Sequence, residues 1–309
     1  MKWLKGIGLF LIANFLIYIT LSITATLLVN VILPAFGIDV RGVFSQQLLV
    51  WSLVIGFGGA FISLLFSKQM ARAMLDCYQI TQPHTQAEQV VFGSVQEIAN
   101  RLQITMPEVW IYNSPDPNAF ATGPTKNNAM VAVSTGLLNN LRENEVRGVL
   151  AHEMGHVFNG DMFTTTVLSG LMNTFVHYIS NMAYSLIAQP QSDRDGESSA
   201  GNPFLAMVVH IVLQIALSAL AMIVVSWHSR RREFAADAFA AKVYGKEAMI
   251  GALQAIDGWV QRAQLPMEPA SDPLATMKIS GRPGGMMQLF ATHPPIEARI
   301  EALRELRLA

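Results

Sequence analysis

Cysteine is almost missing from this chain, since Cys77 is the single one among 309 residues. One thiol excludes an intramolecular disulfide and fits a reducing compartment. Charge is also scarce, because Asp, Glu, Lys and Arg make up 14% of the sequence, against about 25% in a typical soluble domain. With 51% apolar residues and a mean hydropathy of +0.34, the composition excludes an ordinary soluble domain and predicts membrane spans.

Four long segments contain no Asp, Glu, Lys or Arg: residues 6–33, 46–67, 162–188 and 203–227. Each reaches the ~20 residues that a helix needs to cross ~30 Å of hydrocarbon, so we predict four transmembrane helices. Two alternatives remain open. The first is that the segments are buried helices of a soluble core. The second is that segment 6–33 is a cleaved signal peptide, although it is about twice as long as the apolar region of a usual signal peptide.

Basic residues mark one side of these spans, and basic flanks face the cytoplasm. They are Lys2, Lys5, Lys68, Arg72 and the run from Arg230 to Arg232. The connectors at 34–45 and 189–202 carry no such excess and are predicted to lie outside. The net charge of −1 gives no sign of a nucleic-acid partner, and none is expected.

The predicted organisation follows from this orientation. Residues 1–67 form two spans with a short external loop, and 68–161 form the first part of a cytosolic domain. Residues 162–227 form a transmembrane hairpin, and 228–309 form the second cytosolic part. Both termini are then cytoplasmic.

The segment 68–161 has the pattern of a small mixed domain. Helical periodicity covers 86–102, and short strands are predicted at 109–112, 119–122 and 130–134, for which a three-stranded meander is the simplest arrangement. Asn140 with Glu143 three residues later is typical of a capping box, which predicts a helix from there to about Asn159. The fold class is therefore α+β and mainly helical.

That helix carries the motif His152-Glu-Met-Gly-His156, an HExxH. Two histidines four residues apart project from one face of a helix and can bind a single Zn²⁺. Glu153 can then act as general base toward an attacking water. Because such a short motif also arises by chance, two ordinary surface or capped histidines remain the alternative.

A catalytic zinc ion needs a third protein ligand. Asn159 and Met162 stand where a metzincin would have Gly and His, which excludes that class. After the fourth span, Glu233 and Asp237 are four residues apart, so Glu233 can bind the metal while Asp237 accepts a hydrogen bond from a ligand histidine. His228 is the competing ligand, but it lies about 140° around the helix from Glu233. Taken without the HExxH, Glu233 and Asp237 are more simply explained as solvated charges.

The span lengths favour the split site. His156 lies about six residues before the third span and Glu233 about six after the fourth, which places both ~9 Å from the bilayer. An antiparallel hairpin would bring them to the same height.

Several segments resemble the HtpX family of bacterial proteases, over most of the chain and including the order of the four spans. They are His152–His156, Asn159–Asp161, Ser229–Asp237, Pro117–Gly123 and His293–Arg299. The resemblance implies an inner-membrane zinc endopeptidase of gluzincin type, related to the CAAX prenyl proteases and active in the stress response and membrane-protein quality control. It implies one zinc ion on His152, His156 and Glu233, with Glu153 as base and damaged or unfolded membrane proteins as substrates.

The resemblance also implies that His293 and Arg299 line the active site, where they would polarise the scissile carbonyl or hold the oxyanion. The alternative is structural. Pro294 and Pro295 would open a helix that His293 caps, and Arg299 would pair with Glu301 or another surface acid.

Polar residues spaced by one turn run along the third and fourth spans. They predict the contacts Ser169/Ser218, Asn173/Gln214 and His177/His210. Hydrogen bonding between helices explains such a ladder, while a water-lined cavity or a second metal ion on the two histidines are the alternatives.

Two further segments bear on substrate access. Residues 117–123 and 130–134 could pair with an extended polypeptide, or could be ordinary sheet with Phe120 and Met130 in the core. The Pro- and Gly-rich segment 265–287 is either a passive connector or a gate for the cleft.

Outside enzymes, a membrane scaffold or transporter is the competing function. Transport is disfavoured because the spans hold no charged residue other than histidine and show no broken paired repeats.

Overall fold

The structure is a computed structural model, and it describes residues 46–189, 201–263 and 285–307, together with residues 31, 35, 191–192 and 198–199. The predicted first span at 6–33, the external loop at 34–45 and most of the 265–287 segment lie outside these residues. The described residues form two compact units, one of residues 46–62 and 167–222 and the other of 63–166 and 223–307.

Helices dominate both units. They are α1 (Gln46–Leu65), α2 (Ser67–Met74), α3 (Gln86–Leu102), α4 (Thr135–Asn140), α5 (Glu143–Asn159), α6 (Asp161–Ala188), α7 (Pro203–Tyr244), α8 (Lys246–Ala263) and α9 (Ile296–Glu305), with a 3-10 helix at Gly285–Phe290. The strands are β1 (Cys77–Gln79), β2 (Glu108–Tyr112), β3 (Ala119–Thr125), β4 (Asn128–Ser134), β5 (Gln191–Ser192) and β6 (Ser198–Ser199). The chain is thus mainly helical α+β.

Two of the described helices are long and apolar enough to cross a membrane, α1 over Leu48–Leu65 and α7. The predicted third span coincides with α6, which is 28 residues long. It does not reach the same apolar character, because hydroxyl, amide and imidazole groups such as those of Asn173 and His177 interrupt it.

In the first unit, α1 packs closely against α6. A Cβ atom at Gly56 would lie 2.6 Å from the backbone nitrogen of Thr174, and one at Gly170 would lie 2.5 Å from the ring of Phe57. Small residues therefore let these two helices approach, as they do at helix contacts in membranes.

Polar residues of α6 and α7 meet, but Gln214 and His210 have other partners than the predicted ones. Gln214 Nε2 lies 3.5 Å from His177 Nδ1, and the His210 ring contacts Tyr184 edge to face at 6.0 Å. Counting residues from the span ends predicted Gln214 opposite Asn173 and His210 opposite His177, which is off by one turn or more. Helix tilt and crossing set this register, and neither follows from depth alone.

The second unit contains a mixed four-stranded sheet in the order β1-β2-β4-β3. The predicted meander is wrong, because β2 pairs directly with β4 and is parallel to it, while β3 pairs antiparallel with β4 at the edge. Residues of β2 and β4 are buried on both faces, which suits central strands, whereas β3 includes Gly123 and Pro124 and suits an edge. The short strand β1, antiparallel to β2, has no clear signal in the sequence.

The two faces of this sheet are covered differently. Val109, Ile111, Val131 and Val133 pack into the main core. This core also contains buried residues of α3, α5, α8 and α9: Val91, Val95, Val149, Leu150, Leu253, Ile256 and Leu303. On the opposite face, Tyr112, Phe120, Met130 and Ala132 pack with Ala71 of α2. The sheet and α3 therefore form a solid support behind α5.

The HExxH helix begins later than predicted. Asn140 ends α4, and its side-chain amide donates to the carbonyl of Gly136. Helix α5 instead begins at Glu143, where Glu145 accepts a hydrogen bond of 2.7 Å from the backbone nitrogen of Arg142. Its end at Asn159 agrees with the prediction and is set by Gly160, whose φ of +71° favours glycine.

Candidate metal centre

Helix α5 presents the two motif histidines to one point. His152 is almost fully buried, and its Nε2 lies 3.2 Å from Nε2 of His156, one turn later. The two rings stand perpendicular to each other, with centroids 4.7 Å apart. This arrangement directs one nitrogen of each ring at a shared position.

Glu233 of α7 completes the cluster. Its Oε1 lies 3.2 Å from His156 Nε2, and its Oε2 lies 3.5 Å from His152 Nε2. Tetrahedral bonds of 2.0–2.1 Å to zinc separate neighbouring ligand atoms by about 3.3 Å. The three residues predicted as ligands are thus spaced as one tetrahedral ion requires, and among the described residues they form the one group of this kind.

The outer nitrogen of His152 has a carboxylate partner. Its Nδ1 lies 2.9 Å from Asp237 Oδ1, so Asp237 occupies the place predicted for it. Arg299 donates to both oxygens of Asp237, from Nη2 at 2.7 Å and from Nε at 2.8 Å. Burial alone would raise the pKa of Asp237, but the Arg299 charge and these hydrogen bonds lower it to about 2.

His156 has a matching partner that the sequence reasoning did not include among the site residues. Asp161, the first residue of α6, accepts from His156 Nδ1 at 2.7 Å. Arg232 holds the other oxygen of Asp161, with its Nε at 2.6 Å. The available signal was the Gly160-Asp161 pair, because an acid just beyond a helix end can turn back toward the last histidine of that helix.

His293 and Arg299 both reach Glu233. Nδ1 of His293 lies 2.7 Å and Nη1 of Arg299 lies 3.3 Å from its Oε2. The alternative of a surface pair with Glu301 is wrong, since Arg299 is 0% exposed. His293 also does not cap α9, which begins after Pro295 without a side-chain cap.

The segment before His293 is fixed to α7. Arg230 donates from Nη1 to the carbonyls of Leu289 at 3.1 Å and Ala291 at 2.7 Å. Ser226 donates to the carbonyl of Phe290 at 3.0 Å. These bonds place His293 next to the helix that carries Glu233.

Electrostatics of the cluster favour a divalent cation. With the histidines counted as neutral, four carboxylates (Glu153, Asp161, Glu233 and Asp237) and two guanidinium groups (Arg232 and Arg299) leave a formal charge of −2. Burial would raise the pKa of Glu233, but the charges of His293 and Arg299 lower it well below the usual range, so it is a carboxylate. Burial raises the pKa of Glu153, although His152 and His156 oppose this.

Several buried polar atoms of the cluster have no partner in hydrogen-bond geometry among the described residues. They are Oε2 of Glu233, both ring nitrogens of His293 and Nη1 of Arg299. Because buried polar atoms are normally paired, this set fits a site whose remaining partners are a metal ion, water or substrate. His228, the competing candidate ligand, is not part of the cluster.

Comparisons with known proteins agree with this geometry. Residues 85–307 match the model of peptidase family M48. Protease HtpX homolog of Methylacidiphilum infernorum is 42% identical over 304 residues, 98% of this chain and 99% of that protein. Protease HtpX of Pasteurella multocida is 43% identical over 291 residues, 94% of this chain and 97% of that protein.

Among solved structures, the crystal structure of S. mikatae Ste24p has a similar fold. Its TM-score is 0.55 at 18% identity, and the match covers 94% of this chain and 66% of the longer Ste24p chain. The chain therefore belongs to peptidase family M48, and it is a membrane-associated metallopeptidase.

Proposed function

We propose that this metallopeptidase is a zinc endopeptidase of the bacterial inner membrane that cleaves misfolded or damaged membrane proteins on the cytoplasmic side. The observation that carries the proposal is the tetrahedral spacing of His152, His156 and Glu233 next to Glu153. The names of the HtpX relatives support proteolysis, and the substrate class and the membrane side are our own extension.

The residues would divide the work as follows. His152, His156 and Glu233 would hold one Zn²⁺, whose Lewis acidity would activate water and polarise the peptide carbonyl when the ion is bound. Glu153 would take the proton from the attacking water and pass it to the leaving amine. Its burial raises its pKa, which makes the carboxylate a stronger base toward that water.

His293 and Arg299 would have different roles. The His293 side chain is 22% exposed, and its Nδ1 lies 2.7 Å from Glu233 Oε2. Its Nε2 is buried in the cluster and has no hydrogen-bond partner among the described residues, so this nitrogen is available to the carbonyl of a bound substrate. Arg299 is fully enclosed and donates two hydrogen bonds to Asp237, while its Nη1 lies 3.3 Å from Glu233 Oε2. We therefore assign oxyanion stabilisation to His293, and for Arg299 we propose that it fixes Asp237 and Glu233.

The substrate would bind along β3. This strand has one neighbour in the described sheet, β4, and it packs against α5, the helix that carries Glu153. Phe120 and Met130 are buried on the far face, so sequence-specific contacts from them are not available. Pairing through backbone groups tolerates many sequences, which suits a protease of unfolded chains.

The membrane arrangement completes the proposal. Four spans, with both termini and both parts of the protease domain in the cytoplasm, follow from the flanking basic residues. The apolar lengths of α1 and α7 support the membrane location. The predicted first span and the external loop at 34–45 remain predictions from sequence.

Glu153→Gln tests the chemistry. The purified variant should retain zinc but lose cleavage of an unfolded membrane protein by about 100-fold or more, because it lacks the general base. The wild-type protein should lose activity with a chelator and regain it with Zn²⁺. Unchanged turnover in Glu153→Gln would reject Glu153 as base, and no cleavage by zinc-loaded wild-type protein would favour a scaffold or transporter.

A further inference from the structure

The carboxylate of Asp161 is fully engaged by two partners. Its Oδ2 accepts from His156 Nδ1 at 2.7 Å, and its Oδ1 accepts from Arg232 Nε at 2.6 Å. Asp161 is 6% exposed, so these partners replace nearly all of its contact with water. A buried carboxylate held this firmly has a fixed orientation.

Two helix ends create this arrangement. Gly160 ends α5 in the left-handed region, and α6 begins with Asp161 immediately afterwards. The turn returns the Asp161 side chain to His156, five residues earlier. Arg232 comes from α7, directly before Glu233. Two consecutive residues of α7 therefore supply the candidate ligand Glu233 and the guanidinium of Arg232, which holds the Asp161 carboxylate that bonds to His156.

The hydrogen bond decides which nitrogen of His156 is available. Nδ1 must carry the proton to donate to Asp161, so Nε2 keeps its lone pair. Nε2 is the atom that lies 3.2 Å from both His152 Nε2 and Glu233 Oε1. The tautomer set by Asp161 is thus the one that a metal ligand at this position requires.

The opposite half of the cluster has the same construction. His152 Nδ1 meets Asp237, which Arg299 holds from behind. Each histidine is therefore paired with an aspartate, and each aspartate is in turn bonded to an arginine. The Arg299 side chain is 0% exposed, whereas the Arg232 side chain is 30% exposed. Solvent screens the ion pair of Asp161 and Arg232 more than that of Asp237 and Arg299, so the Asp161 pair should contribute less to zinc affinity.

We infer that Asp161 is a positioning residue for His156 and that Arg232 acts through Asp161, a role that rests on the proposed zinc site. The pair also ties the first residue of α6 to α7. A purely structural salt bridge would explain this tie without any effect on metal affinity. The two explanations differ in what zinc titration of the folded protein shows.

The experiment uses the full chain in detergent, stripped of metal. Zinc affinity is measured by competition with a chromophoric chelator, and the Co²⁺ absorption spectrum reports ligand geometry. Asp161→Asn, which keeps the size of the side chain, should weaken zinc binding by about 10- to 100-fold and alter the Co²⁺ spectrum. Arg232→Gln should weaken it by less, and Arg232→Lys should recover most of the loss.

Arg231→Gln is the matched control. Arg231 neighbours Arg232 on α7, but it is exposed and its guanidinium lies over the Trp227 ring at 5.0 Å. Its zinc affinity should equal that of the wild type. The melting temperature of each metal-free variant shows whether the fold is intact, and if Asp161→Asn does not fold, the pair Arg232→Gln and Arg232→Lys decides the question.

Outcomes separate this inference from the proposed function. Zinc affinity within about twofold of wild type in Asp161→Asn or, if that variant does not fold, in Arg232→Gln would overturn the positioning role while leaving the zinc peptidase intact. A wild-type protein that binds zinc no more tightly than a variant lacking His152, His156 and Glu233 would overturn the proposed function itself.

Discussion

At the scale of single residues, His293 and Arg299 contact the same atom of the cluster, and we propose different roles for them. Both touch Oε2 of Glu233, but Arg299 is enclosed and His293 is not. Sequence reasoning grouped them as catalytic because exposure is not visible in a motif. The burial of Arg299 and its hydrogen bonds to Asp237 distinguish it from His293 and favour a positioning role for Arg299.

The separation gives a paired prediction. His293→Ala should lower kcat by about 100-fold with zinc affinity nearly unchanged, because it removes a donor at the developing oxyanion. Arg299→Lys keeps the charge but loses the bidentate hydrogen bonds to Asp237, so zinc affinity should fall. The free energy of unfolding should also fall by about 2 kcal/mol, which lowers the melting temperature. Kinetics, zinc titration and thermal melting together check the pair, and the reverse pattern would contradict our assignment.

Tyr112 provides a test of burial through pH. Burial raises its pKa to about 12, although Asn118 donates to its hydroxyl at 3.0 Å. The ordinary pKa of tyrosine is 10.0, so as the pH rises Tyr112 loses its hydroxyl proton in the unfolded chain before it does so in the folded protein. The contribution of this group to the free energy of unfolding is therefore complete below pH 10. It is then lost as the pH rises from about 10 to about 12, which amounts to about 3 kcal/mol.

Tyr112→Phe removes this titration. Below pH 10 the variant should be less stable than wild type by about 1–3 kcal/mol, because the Asn118 amide loses its acceptor. Chemical denaturation at a series of pH values should show this gap narrowing, or reversing, between pH 10 and pH 12. A constant gap would mean that the Tyr112 hydroxyl titrates as if it were exposed.

The residues of the candidate site were predictable to different degrees. The spacing within HExxH and within Glu233-xxx-Asp237 places side chains on one helix face, and such local geometry follows from sequence alone. Asp161 has no such repeat, and a single acid at a helix start is most simply an ordinary favourable charge at an N-terminus. Its contact with His156 depends on the turn at Gly160.

At the scale of elements, helix approach around α5 depends on Gly148. A Cβ atom there would lie 2.9 Å from the backbone carbonyl carbon and oxygen of Ala248 in α8. Alanine usually stabilises a helix by about 1 kcal/mol relative to glycine, whereas overpacking a tight contact costs about 1–3 kcal/mol. Because the obstructing atoms belong to the backbone and cannot move aside easily, the cost of overpacking should exceed the gain in helix propensity.

Gly148→Ala should therefore lower the melting temperature of the solubilised protein. Gly93→Ala is the control, because a Cβ atom at Gly93 in α3 would meet nothing within 4 Å beyond its own stretch of helix, and that variant should gain up to about 1 kcal/mol. Stabilisation of both variants to the same extent would show that α5 and α8 do not pack as closely as described.

Sheet order shows where prediction from sequence ended for the elements. The strand segments were found at nearly correct places, because alternation and turn residues are local. The pairing of β2 with β4 instead of β3 is a tertiary choice, driven by burial on both faces of the central strands. A meander was the simplest assembly of the same strands, and it gave the wrong neighbour.

At the scale of the whole molecule, the positions of the few charges predict which segments lie on which side of the membrane. The 14% of charged residues avoid the apolar segments, and the basic ones collect at one set of ends. Membrane insertion responds to this bias in short loops, so the positions of the Lys and Arg residues predict which segments share a compartment. The same reasoning predicts that the connector at 189–202 is external and that the segment before α3 is cytoplasmic.

The single cysteine makes this topology testable. Cys77→Ser gives a cysteine-free protein, into which Ser198→Cys places a thiol in the connector and Thr81→Cys places one at an exposed position before α3. In spheroplasts, a membrane-impermeant maleimide should label position 198 and should label position 81 only after lysis. Labelling of position 81 in intact spheroplasts would place the HExxH helix outside, because no apolar run separates residue 81 from Glu153. Protection of both positions before lysis would instead place the connector at 189–202 inside, and residues 162–188 and 203–227 would then not form a transmembrane hairpin.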